Sequence, residues 1–290
     1  MEGPRAFCSE DSRANDESLA ATASRVDHWV LVEYRGRWGH DAIAGSGLSE
    51  EAKKHLRGLA AARPHTKVLF VRRPDRRSKA GLAVVWGSSP ERGGTLYRAE
   101  LDGYDDLLEL DPTRAGEPLG HPFLLVCTHG KHDRCCARYG RPLYNALAEL
   151  AEEGWVWQSS HLGGDRFAGN AVFLPEGLYF GRVGAADAWP VLDEYLTGRI
   201  VLEHYRGRSA YGFAEQTAER AVREAAGLRG IDDLELVRHD GPHVTFRAGA
   251  RVYDVELDPA RGALTYLTCY TDVLRHPRHY AARILRESAA

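Results

Sequence analysis

The strongest constraint on this fold is an order of segments that occurs twice. Residues 28–34 form a β-rich run, and residues 48–62, opened by Ser46 or Ser49 near Glu50 and Glu51, have helical spacing. Strand-like runs follow at 67–72, 82–86 and 95–101, separated by Pro, Gly and charge clusters, with a short acidic helix at 104–108. Gly116, Pro118, Gly120 and Pro122 then punctuate a linker that no periodicity crosses, which sets a boundary near residue 120. Beyond it the order repeats. A buried-strand run at 123–127 precedes a helix at 142–153 with Pro142 at its first position and a strand at 155–158. A hairpin of 171–174 and 178–183 turns around Pro175-Glu176-Gly177, and a helix at 186–196 closes the unit.

Two parallel strands joined by a helix cross over right-handed, and an antiparallel pair then extends the sheet, which is the thioredoxin-like arrangement. The chain therefore reads as an α/β protein with two thioredoxin-like domains in tandem. A polar leader covers 1–26, the first domain 27–120, the second 121–200, and a small α+β appendage 201–290. The appendage carries a helix at 213–226, strands at 234–238, 244–247, 252–257 and 263–266, and no chemical motif. No apolar run approaches the roughly 18 residues that span a bilayer, and the N-terminus lacks the apolar stretch of a secretory signal. The expected compartment is the cytoplasm. With 38 Lys+Arg against 41 Asp+Glu, the net charge of -3 offers no field to recruit nucleic acid or an anionic membrane.

Five cysteines are an odd number and too sparse for a disulfide scaffold, so the close group Cys127, Cys135, Cys136 reads as metal-binding or redox-active. Cys127 ends one strand, the loop 128–140 sits above the same sheet edge, and His161 follows the next parallel strand at that edge, where open α/β sheets form their sites. Asp165 lies one short turn beyond His161, across Gly163-Gly164. Two thiolates, an imidazole and a carboxylate thus converge.

Iron–sulfur clusters use soft anionic thiolates and accept imidazoles on one iron, so the pairs C-x8-C and H-x3-D suit a binuclear cluster. Zinc takes the same donors, although structural zinc knuckles show C-x2-4-C spacing. The reading from another class is a thioredoxin-type thiol–disulfide oxidoreductase without a cluster. It would use Cys127, Cys135 or Cys136 at a helix start, where the dipole lowers the thiol pKa. The missing C-x-x-C counts against it. His129, His132 and Asp133 read as turn or supporting residues, and Cys8 and Cys269 as isolated thiols. Arg72, Arg73, Arg76, Arg77 and Lys79 form a basic loop that is either a solvated hairpin tip or a dock for an acidic redox partner.

Several segments carry a family resemblance. They are the run from Cys127-Thr128-His129-Gly130 to Cys136, Arg141-Pro142-Leu143, Ser160-His161-Leu162-Gly163-Gly164-Asp165-Arg166-Phe167-Ala168-Gly169-Asn170, and Leu174-Pro175-Glu176-Gly177-Leu178-Tyr179-Phe180-Gly181-Arg182-Val183. Together with Trp29-Val30-Leu31-Val32-Glu33 and Trp38-Gly39, they resemble the sucrase/ferredoxin-like family over most of residues 7–185. The family's members look like thioredoxin-fold [2Fe-2S] ferredoxins with C-x8-C and H-x3-H ligation. The resemblance implies a [2Fe-2S] electron-transfer protein with Cys127, Cys136 and His161 as ligands, a redox protein as donor or acceptor, and a carrier rather than an enzyme with its own substrate. The second histidine position is Asp165 here, which the reading takes as fourth ligand, with Cys135 or Cys8 as the alternatives. The sucrase half of the family name finds no support in these residues.

Overall fold

The computed structural model describes residues 7–74 and 80–289. Arg76, Arg77 and Lys79 of the expected basic loop lie outside the described residues. Arg72 and Arg73 are turned inward: Arg72 donates to Gly36 O at 2.6 Å and lies over the Trp38 ring, and Arg73 pairs with buried Glu33 at 2.5 Å.

The first half consists of α1 (Cys8–Ala14), β1 (His28–Glu33), α2 (Glu50–Ala62), β2 (Thr66–Arg72), β3 (Leu82–Ser88), β4 (Thr95–Leu101) and β5 (Glu117–Pro118). The second consists of β6 (Phe123–Cys127), α3 (Arg134–Leu150), β7 (Val156–Ser159), β8 (Ala171–Leu174), β9 (Leu178–Phe180), α4 (Ala188–Leu196) and β10 (Tyr205–Arg208). The remainder holds α5 (Phe213–Ala226), β11 (Glu235–Asp240), β12 (His243–Ala248), β13 (Arg251–Arg261), β14 (Thr265–Tyr266), β15 (Leu274–Arg275) and β16 (Arg278–Ala289).

The α/β class holds, but the halves do not keep separate sheets. One mixed sheet of ten strands runs in the order β10-β9-β8-β6-β7-β2-β1-β3-β4-β5. Within it β1 pairs parallel with β2 and antiparallel with β3, and β6 pairs parallel with β7 and antiparallel with β8. The halves join where β2 and β7 run antiparallel, with Val71 opposite Ser159 and Arg72 opposite Gln158. Each half alone would end there in an exposed row of backbone donors and acceptors, and pairing the two edges satisfies both.

Alternation along the central strands explains the layers. Trp29 and Leu31 of β1, and Phe123, Leu125 and Cys127 of β6, face one shared core. Val30 and Val32 face the layer under α2, while Leu124 and Val126 face the layer under α3 and α4. These strands are buried on both faces, which is why their sequences read as continuous apolar runs. Each such side chain contributes about 1.5–3 kcal/mol on burial.

Helix α3 differs most from the sequence reading. It begins at Arg134, with Pro142 in its interior, and is capped by Asp133, whose side chain accepts from Cys135 N at 2.8 Å. Proline is favoured in a first turn, so Pro142 pointed to a late start. The Asp133 cap and the packing of Leu143 and Leu147 into the core hold the earlier turns in place nonetheless. As a result Cys135 and Cys136 sit in the first turn of the helix. The appendage contributes β10 to the large sheet and packs α5 on the four-stranded sheet β11-β12-β13-β16. Among the described residues, no helix is long and apolar enough to cross a membrane.

Candidate metal centre

The site is built at the carboxyl edge shared by β6 and β7. Cys127 is the last residue of β6, and α3 passes close above it because Gly140 has no side chain; a Cβ there would collide with the Cys127 carbonyl oxygen. That approach brings Cys136, in the first turn of α3, to Cys127. His161 leaves the end of β7, and Gly163 and Gly164, at φ +103° and +78°, turn the chain so that Asp165 opens a 3₁₀ turn facing the same point.

The Cys127 and Cys136 sulfurs and a His161 nitrogen lie within 4.8 Å of one another. Cys136 Sγ is 3.2 Å from Asp165 Oδ1, and His161 Nδ1 is 3.0 Å from the same oxygen. With the imidazole protonated, His161 and Asp165 form a buried ion pair through this contact. His132 stacks on His161 with ring centroids 3.8 Å apart, and is itself held by the carbonyl of His40 at 3.1 Å. His129 is anchored to Gly39 O at 2.6 Å.

Charge is concentrated here. The hydrogen-bonding thiol of Cys136 lowers the Cys127 pKa well below that of an ordinary cysteine, while Cys136 is raised by the same contact and by burial. Burial works against protonated His161, but Asp165 and Cys127 outweigh it and push the imidazole up to about 9. Asp165 is lowered, with His161 overcoming the cost of burial.

Two side chains that sequence reasoning did not single out hold the loop in place. Arg206 of β10 donates to Gly163 O and Asn170 Oδ1, both at 2.9 Å, and to Thr22 O at 2.6 Å. Lys67 of β2 donates to Leu162 O at 2.6 Å, and its burial pulls it down to about 8. No local signal marks either, since their role arises only when β10 and β2 join the sheet beside this loop.

Of the residues singled out from sequence, Cys127, Cys136, His161 and Asp165 are brought together. Cys135 is not: its sulfur turns away, to 3.6 Å from Cys8 and 3.3 Å from Cys269. The donor set fits a metal ion. The Cys127 and Cys136 sulfurs and a His161 nitrogen lie close enough together to share one ion, and the Asp165 carboxylate borders Cys136 and His161.

The description of the sucrase/ferredoxin-like proteins matches residues 19–207, which include every element of this site. The chain belongs to the sucrase/ferredoxin-like family. Three relatives carry the name altered inheritance of mitochondria protein 32. That of Debaryomyces hansenii is 30% identical over 101 residues, covering 31% of this chain and 37% of the relative. That of Meyerozyma guilliermondii is 32% identical over 95 residues, covering 29% and 34%. That of Saccharomyces cerevisiae strain YJM789 is 30% identical over 105 residues, covering 32% and 34%. The matches thus span about a third of the length of these relatives. No solved structure matches the chain.

These findings correct the expected function. The relatives are named for an altered inheritance of mitochondria and not as [2Fe-2S] electron carriers, and the family match by itself shows no iron–sulfur function. The thiol–disulfide reading is also set aside, because all five cysteines are free and buried and none offers an exposed sulfur to a substrate disulfide.

Proposed function

We propose that this member of the sucrase/ferredoxin-like family is a metal-binding protein whose centre is held by Cys127, Cys136, His161 and Asp165. The observation that carries the reading is the meeting of the Cys127 and Cys136 sulfurs with a His161 nitrogen within 4.8 Å of one another, beside the Asp165 carboxylate. A cation would neutralise the thiolate and carboxylate gathered there. The centre reaches the outside through its imidazole side, where His40, Lys67, His129, His132 and His161 line a cavity of about 340 Å³.

The two halves of the large sheet support a further part of this reading, that each is a thioredoxin-like unit. Both have the order second–first–third–fourth strand, with one parallel pair and two antiparallel neighbours. Cys127 is the only one of the five cysteines on a strand of this sheet, and it lies in the second unit.

The test is elemental analysis of the full chain, purified without a metal resin and loaded anaerobically with zinc or iron. The reading expects bound metal that falls by about one equivalent in Cys127→Ala, Cys136→Ala and His161→Ala. Acid-labile sulfide, measured on the same samples, separates a single ion from a cluster. A chain that takes up neither metal overturns the reading.

A further inference from the structure

Cys8, Cys135 and Cys269 come from opposite ends of the chain and from its middle, yet their sulfurs form a triangle. Cys8 and Cys135 are 3.6 Å apart, Cys135 and Cys269 3.3 Å, and Cys269 and Cys8 3.5 Å. Both carboxylate oxygens of Asp133 lie 4.0 Å from the Cys8 sulfur. All four residues are buried, at 5% exposure or less.

We infer that Cys8, Cys135 and Cys269, with Asp133, form a second metal site that takes a zinc-type divalent ion. Sulfurs bonded tetrahedrally to zinc at about 2.3 Å stand about 3.8 Å from one another, close to the sides of this triangle. A disulfide requires about 2.05 Å, and a triangle would still leave one thiol over. Asp133 is already oriented as a ligand or as a support for one. Its Oδ1 accepts from Cys135 N at 2.8 Å and its Oδ2 from Cys269 N at 2.6 Å, while no described Lys or Arg pairs with it. A buried carboxylate without a cation is costly, and a divalent ion would supply the missing charge.

The surroundings are those of a closed structural site. Phe7, Tyr139, Ala168 and Tyr266 pack around the sulfurs, and Ser9 Oγ donates to Cys135 Sγ at 3.1 Å. Binding converts thiols to thiolates and releases their protons to solvent, with no change in oxidation state. The ion would tie three segments together: the start of α1, the first turn of α3 and the stretch between β14 and β15.

The experiment uses the full chain carrying Cys127→Ala, which disables the first centre. Stripped protein is titrated with cobalt(II), and the thiolate-to-cobalt charge-transfer band and tetrahedral ligand-field bands are followed. About one equivalent with this spectrum is expected, and both bands should vanish when Cys269→Ser or Cys8→Ser is added. Because either serine variant could fail to fold, alkylation of the Cys127→Ala protein is mapped by mass spectrometry with and without zinc. Zinc should protect Cys8, Cys135 and Cys269 together. No cobalt band, equal alkylation in both conditions, or a Cys135–Cys269 disulfide in freshly purified protein would each overturn the inference. The first centre is judged separately: with Cys8→Ser in place and Cys127 intact, its metal should remain.

Discussion

Cys135 and Cys136 are consecutive in the first turn of α3, yet their sulfurs enter different clusters, Cys136 at 3.2 Å from Asp165 and Cys135 at 3.3 Å from Cys269. Successive side chains on a helix diverge by about 100°, so one turn can serve two sites. The account therefore expects the two cysteines to separate by mutation. Cys136→Ser should lose the metal of the first centre, whereas Cys135→Ser should keep it, as read by metal content of each purified variant. Loss of that metal in Cys135→Ser alone would reverse the assignment.

Gly140→Ala tests how the helix is positioned. The added methyl would meet the Cys127 carbonyl oxygen, so α3 must move off the end of β6 and carry Cys136 with it. A loss of about 1–3 kcal/mol in urea unfolding is expected, as for overpacked cores, together with weaker metal retention. An unchanged midpoint and full metal content would show that the close approach is not needed.

Arg206→Met tests the support behind the loop 161–170. The variant keeps most of the bulk but leaves Gly163 O, Asn170 Oδ1 and Thr22 O without their donor. Each buried group left unpaired costs about 1–3 kcal/mol, so the thermal midpoint should fall clearly. Metal should also dissociate faster from this variant, because the loop carries both His161 and Asp165. Wild-type dissociation would confine Arg206 to a role in stability.

The sign of a pH effect follows from His161. In the metal-free protein burial disfavours its proton, yet Asp165 and Cys127 hold it up at about 9, above its unfolded value of about 6.5. Its stabilising contribution is thus complete below about pH 6.5 and is lost as pH rises through about 9. In urea titrations of metal-free protein, wild type should exceed His161→Gln in stability at about pH 6, and this advantage should shrink by about pH 10. A pH-independent advantage would contradict the ion pair.

Much of this was legible in the sequence, for identifiable reasons. The apolar runs 123–127 and 155–158 around a helix are a local pattern, and parallel pairing of β6 with β7 necessarily puts Cys127 and the chain leading to His161 at one edge. The junction of β2 with β7 was not legible, because strand edges carry no side-chain code for their partner. Strand β16 was missed because its mostly exposed residues lack an apolar alternation. Cys8 and Cys269 looked isolated because only tertiary folding brings residues so distant in sequence into contact.

The most direct test of the metal centre is X-ray absorption at the edge of the bound metal, in full-length Cys8→Ser protein so that the first centre alone contributes. The account predicts a mixed shell, with sulfur at about 2.3 Å and nitrogen or oxygen at about 2.0–2.2 Å, that is lost together with the metal in the additional variant Cys136→Ala. A shell of nitrogen and oxygen alone, unaltered by Cys136→Ala, would place the metal elsewhere and contradict the account.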